Sequence, residues 1–184
     1  PLIILVILIF AVSLYLYPKM PERMPIHWNS MGEVDGYGNR FMGLFLMPIF
    51  LAVIYLLFWI IPIVEVYQEN FKKFKNYFFG FKAVFILFFI TIYTAMLLPN
   101  FGIDVNMGLV MIPALAVLFF YIGYMLKFTK RNYFVGIRTP WALANEKVWD
   151  KTHQLGSKLF MLFALIMLSA IFFPKKFIWF VLIP

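Results

Sequence analysis

FMGLFLMPIFLAVIYLLFWIIPIV, residues Phe41–Val64, carries no charged side chain over 24 consecutive positions. Wound as an α-helix it would rise about 36 Å, enough to cross the ~30 Å hydrocarbon core of a bilayer. GLVMIPALAVLFFYIGYML, Gly108–Leu126, gives the same reading. Neither run alternates apolar and polar residues as a barrel strand must, so the spanning element is helix. The 184-residue chain is 64% hydrophobic and 13% charged, against about half and about a quarter in a soluble domain. The expected fold is all-α: a polytopic helical membrane protein of about six transmembrane helices plus a cytoplasmic interfacial amphipathic helix.

Further spans are expected at Leu2–Tyr17, Ala83–Leu98 and Leu159–Phe173, and a sixth begins at Phe177. The runs at Ala83 and Leu159 are short. They reach full length if Lys82 and Lys158 snorkel to the headgroups and the helices start near Phe78 and Leu155. Pro48 and Pro113 lie inside spans and should kink or loosen them. Leu2–Tyr17 lacks a small-residue cleavage site before Pro18 and reads as a span, not a signal peptide. Pro1 and the short final run suggest truncation at both ends. Two units are expected: residues 1–64, two spans with an ordered outer loop at 18–40, and residues 65–184, four spans with a polar segment at 127–158.

Lys and Arg orient the bundle. Glu65–Lys82 holds Lys72, Lys73, Lys75 and Lys82, and Lys127–Lys158 holds seven more; Pro18–Arg40, Pro99–Met107 and Pro174–Lys176 together hold five. The excess places the first two connectors, and the N-terminus, in the cytoplasm. The +8 net charge is spread over connectors, which favours anionic headgroups at Lys72, Lys73, Lys75 and the 127–158 segment over direct nucleic-acid binding. There is no cysteine, hence no disulfide framework and no thiolate site.

The outer loop reads PKMPERMPIHWNSMGEVDGYGNR, Pro18–Arg40. Its three prolines favour extended or turn backbone, and Asp35-Gly36 is a turn signal. His27, Glu33 and Asp35 could gather a divalent metal. The plainer reading, which is favoured, has His27 hydrogen-bond Asp35 or backbone to staple the loop, with no metal. Trp28, Met31 and Tyr37 suit a protein-facing surface or interfacial anchoring.

The inner segment reads KFTKRNYFVGIRTPWALANEKVWDKTHQLGSK, Lys127–Lys158. Thr139-Pro140 is a helix start, a hydroxyl N-cap followed by Pro, and the helix is expected to run unbroken to Gly156. Trp141, Ala144, Val148, Thr152 and Leu155 form an apolar stripe, with Trp149, His153 and Gly156 on an adjacent one. The helix would lie in the cytoplasmic interface. Arg138, at the membrane margin, could pair with Glu146 or Asp150, or hold a lipid phosphate or peptide carboxylate. With no HExxH, no GxSxG and no cofactor motif, and with the two histidines on opposite sides, no catalytic site is expected. Mid-span acids, which an ion-coupled transporter would need, are also missing.

Asn132, Gly136-Ile137-Arg138-Thr139-Pro140-Trp141, Val148-Trp149, Thr152-His153 and Gly156 resemble the signature of the SdpI family of bacterial immunity-type multi-span membrane proteins. The chain departs from that pattern at Ala142, where the family shows Thr. Pro25, Ile26, His27, Gly32, Asp35, Gly36 and Tyr37 resemble a short N-terminal membrane domain of unknown function that accompanies the family. The resemblance implies a six-span protein of the bacterial plasma membrane. It further implies immunity to a secreted, membrane-active toxin peptide and signalling by sequestering a cytoplasmic repressor. Alternatives are an accessory or scaffold subunit of a larger membrane complex and, more weakly, a small-molecule or lipid transporter.

Overall fold

The computed structural model describes residues 2–29 and 31–172. The sixth span expected from Phe177 lies outside the described residues. Helix α1 (Leu2–Leu16) leads through a short 3-10 turn to an antiparallel hairpin, β1 (Arg23–Trp28) and β2 (Val34–Asn39). Helices α2 (Arg40–Val64), α3 (Gln68–Leu97), α4 (Met107–Leu126), α5 (Pro140–Ala144) and α6 (Glu146–Ser169) follow. Helix α1 together with its 3-10 turn (Leu2–Lys19) and helices α2 to α4 are each long and apolar enough to cross a membrane. The protein is a polytopic helical membrane protein whose N-terminal loop folds as a β-hairpin.

Helix α3 begins at Gln68, well before the start expected near Phe78. Its 30 residues rise about 45 Å, so several turns stand beyond the hydrocarbon core. Phe71, Phe74 and Phe78 share one buried face of these turns while Lys72, Lys73 and Lys75 are exposed on the other, the division expected of an amphipathic helix. The phenylalanines pack with Met125 and Val135. Helix α3 contains no proline, whereas α2 holds Pro48 and Pro62 and α4 holds Pro113.

Pro48 removes the N–H that would bond the Leu44 carbonyl one turn earlier. The gap is filled from another helix: Ser13 Oγ lies 2.8 Å from the Leu44 carbonyl oxygen and 2.6 Å from Tyr93 Oη. Tyr93 can donate to Ser13, whose one proton is shared between the Leu44 carbonyl and the Ile9 carbonyl, also at 2.8 Å, tying α1, α2 and α3 at one buried point. Ile9, Met24, Leu44, Leu51, Ile86 and Tyr93 pack around it. The carbonyl that Pro48 leaves without its helical donor is thus partnered inside the bundle. A second cluster joins α4 to α6 through Ile112, Ala116 and Met167.

The hairpin turn lies at Asn29–Glu33, not at Asp35-Gly36. Asn29 Oδ1 accepts the N–H groups of Met31 and Glu33, at 2.9 and 3.0 Å, and the Asn29 carbonyl accepts from Gly32 N at 3.0 Å. Asp35 and Gly36 belong to β2, where Gly36 pairs with His27. The turn is latched to α4: Asn106 Nδ2 donates to the Met31 carbonyl at 3.2 Å, and Met107 N to the Gly32 carbonyl at 3.2 Å. Gly32 has φ 79°, and a Cβ there would collide with the Asn106 side chain. The hairpin and the α3–α4 connector thus form one end of the bundle. The α2–α3 connector and the 127–145 segment form the other.

Candidate functional site

The motif end is built around Asn132, which is fully buried. Its Oδ1 accepts from Phe134 N and Val135 N at 2.9 and 2.7 Å, and its Nδ2 donates to the carbonyls of Lys130 and Val135, both at 2.8 Å. One carboxamide thereby closes the turn that carries Tyr133, Gly136 and Arg138. A buried amide with all these bonds made is a rigid element.

His153 closes the other side. Its Nδ1 lies 2.9 Å from the Trp149 carbonyl oxygen, which can only accept, and its Nε2 lies 3.0 Å from Ile137 N, which can only donate. The geometry therefore assigns the neutral tautomer with the proton on Nδ1. Burial pushes the imidazole pKa down, with the Trp149 carbonyl and Asp150 pulling the other way. The two ring nitrogens are both engaged in the fold. Trp149 stacks on the imidazole at 4.0 Å and donates Nε1 to the Thr129 carbonyl at 2.9 Å. Gly136, at φ 112°, brings the loop backbone against His153 Nε2, where a Cβ would collide. Gly156 gives Ile137 room: a Cβ there would stand 2.5 Å from Ile137 Cδ1.

Thr139 caps α5 as expected, its Oγ1 accepting from Ala142 N at 3.3 Å. The single helix expected from there to Gly156 is instead two. Asn145 ends α5 in extended backbone, and its Oδ1 accepts from Lys147 N and Val148 N at 2.9 and 3.3 Å, starting α6. Helix α6 then runs through Gly156 to Ser169. The two stripes also exchange roles. Trp149, His153 and Gly156 face inward, Thr152 is half-buried, and Trp141 and Leu155 are exposed.

Arg138 is exposed and donates Nη1 to the Tyr133 carbonyl at 2.6 Å. The ion pair with Glu146 belongs to Arg131, at 3.7 Å, whose guanidinium also sits 5.0 Å over the Tyr67 ring. Arg138, Pro140 and Trp141 are outward, with Tyr133 beside them. Trp149 is 1% exposed. Arg138 can touch a partner, whereas Trp149 can only support the surface from beneath.

Sequence reasoning missed what fastens this unit to the bundle. Glu65, 2% exposed, accepts Tyr67 N on Oε1 at 2.8 Å and Tyr133 N on Oε2 at 3.0 Å. Tyr67 and Tyr133 stack nearly parallel at 5.2 Å, and Asn70 Nδ2 donates to the Arg131 carbonyl at 3.0 Å. A carboxylate directly after an apolar run was the available signal for Glu65, because such a group is buried only with hydrogen-bond partners.

At the opposite end His27 Nδ1 and Asp35 Oδ1 are 2.5 Å apart, while Glu33 accepts from Asn29 Nδ2 at 3.1 Å. Among the described residues these side chains do not converge as a metal site. Pro25 is buried, Trp28 packs against Ala95, Met96 and Met107, and Tyr37 is exposed. The two candidate constellations are therefore separated by the length of the spans. Each is ordered by its own side-chain hydrogen bonds.

The resemblance seen in the sequence holds. Residues 129–184 match the SdpI/YfhL protein family, and residues 4–52 match a domain of unknown function, DUF1648. The chain is 26% identical over 181 residues to Immunity protein SdpI of Bacillus subtilis strain 168, covering 98% of this chain and 84% of that protein. No solved structure matches the chain.

Proposed function

We propose that the chain is an immunity protein of the bacterial plasma membrane. Its hairpin end meets a secreted membrane-active peptide, and its motif end recruits a cytoplasmic repressor. The similarity to Immunity protein SdpI carries the reading, because it extends over 98% of this chain and so includes both polar ends. The predominance of Lys and Arg around α3's start and the motif supports a cytoplasmic position for that end and for the N-terminus. Lys72, Lys73 and Lys75 stand exposed there, suitably placed for anionic headgroups. The partner surface is Arg138 with Trp141, displayed on a loop that Asn132, His153 and Glu65 hold rigid. Binding, not catalysis, suits this arrangement, since His153 has no ring nitrogen left for a substrate.

Expression of the full chain in a bacterium sensitive to a secreted peptide toxin, without its own immunity protein, tests the reading. Survival is expected, together with retention of a co-expressed cytoplasmic repressor in the membrane fraction. Killing unchanged by expression, across the toxins of related strains, counts against it.

A further inference from the structure

Two cavities flank the hairpin latch. One is an open cleft of about 900 Å³ between the hairpin face and the α3–α4 connector, with Pro21, Arg23, Pro25 and Tyr37 on one wall and Asn100 and Asp104 on the other. The second, about 450 Å³, lies beneath the Trp28 side of the hairpin and is lined by Met47, Met96, Met107 and Met111. Asn106 and Met107, which latch the turn, stand between them.

We infer that this pair of cavities binds an extended, cationic peptide segment, with its basic side chains in the cleft and an apolar side chain in the methionine pocket. The inference rests on the immunity reading for its biological sense and on three observations for its chemistry. Pro21, Arg23 and Pro25 recur every second residue, the period of an extended chain, along a ledge about 13 Å long. Among the described residues the hairpin end carries Glu22, Glu33, Asp35 and Asp104 against Lys19, Arg23 and Arg40, in a chain whose net charge is +8. Arg23, the one basic side chain on the cleft's walls, lies over the Tyr37 ring, 5.2 Å from its centroid. Within the cleft Asp104 and Glu33 set two carboxylates against the single guanidinium of Arg23.

The methionine pocket supplies the apolar half. Unbranched thioether side chains repack around differing guests, and Trp28 gives a flat indole wall. The walls are set before any ligand arrives. His27 bonds Asp35, Asn29 bonds the turn, and Asn106 caps α4 by accepting from Leu109 N at 3.2 Å while holding Met31. A site so braced loses little freedom on binding.

The test uses the full chain in nanodiscs of zwitterionic phosphatidylcholine, with a fluorescent (Lys-Leu)4 amide as probe and empty nanodiscs as background. Saturable binding above background is expected, weakening as salt is raised. Asp104→Lys should weaken it at least tenfold, and Met111→Trp, which fills the pocket, should weaken it comparably. A (Glu-Leu)4 amide should not bind. Thermal unfolding of each variant, matched to the parent, keeps the comparison on folded protein, and Glu33→Gln serves as a second charge variant should Asp104→Lys fail that check. Absence of binding, or binding unchanged by both charge and pocket variants, overturns the inference. The measurement involves no killing assay, so its failure leaves the immunity reading standing. A chain that binds the probe but gives no protection removes the immunity reading and leaves the cleft.

Discussion

His153 Nε2 accepts the backbone N–H of Ile137 at 3.0 Å, sixteen residues earlier in the chain. This one bond joins α6 to the loop that displays Arg138, and it exists only while the imidazole is neutral. A proton on Nε2 would set two donors against each other.

Stability should therefore depend on pH in a definite sense. The folded-state pKa of His153 is depressed by burial, so the unfolded chain takes up the proton first. The contribution is complete above about pH 6.5 and is lost as pH falls toward the folded value, at no more than about 1.4 kcal/mol per pH unit. Thermal unfolding in mild detergent at pH 7.5 and 5.5 checks this. The parent should lose more on acidification than His153→Gln; equal losses would discharge His153 from the role.

Gly136→Ala should destabilise the protein by about 2 kcal/mol or more. The φ of 112° is strained for any residue with a Cβ, and that Cβ would meet His153. In a His153→Ala background the collision disappears and only the backbone strain is left. The double variant should accordingly cost less than the two single costs added together, by urea or thermal titration.

Arg138→Ala and Trp149→Ala should both impair function for different reasons. Trp149 is buried against His153 and Thr129, so truncation should cost about 3–5 kcal/mol and reduce the amount of folded protein. Arg138 is exposed, so its variant should melt like the parent, reach the membrane normally and yet lose repressor retention. Normal retention by a stable Arg138→Ala protein would remove Arg138 from the partner surface.

Ser13→Ala should cost about 1 kcal/mol, the scale of one buried hydrogen bond within a membrane bundle. Combined with Pro48→Ala the cost should shrink, because the substituted residue restores the backbone N–H that the Leu44 carbonyl lacks. A double-mutant cycle on purified protein measures the difference. Strict additivity would mean that Ser13 does not stand in for the missing donor.

The spans were legible because uncharged runs such as Phe41–Val64 leave the bilayer as their only solvent. What escaped sequence reading was polar chemistry of short range. The Phe71, Phe74, Phe78 spacing lies among lysines, so average hydropathy conceals that it extends α3 by several turns. Asn145 stands before Glu146 and Lys147 as an N-cap, a local signal that an apolar-stripe reading passes over. Asn29, by accepting two backbone N–H groups, moves the hairpin turn away from Asp35-Gly36. Whether Arg131 or Arg138 meets Glu146 depends on the turn that Asn132 closes. Spacing along a helix could not have decided it. The motif positions were visible in the sequence, but not their division into a buried brace and an exposed face.

Helix α3 lacks proline along all 30 residues, while its neighbours α2 and α4 contain Pro48, Pro62 and Pro113. At one end it holds Ala95 and Met96 against Trp28, and at the other it holds Asn70 against the Arg131 carbonyl. Its contacts at Asn70 and Met96 are 26 residues, about 39 Å, apart along one helix that has no proline at which to bend.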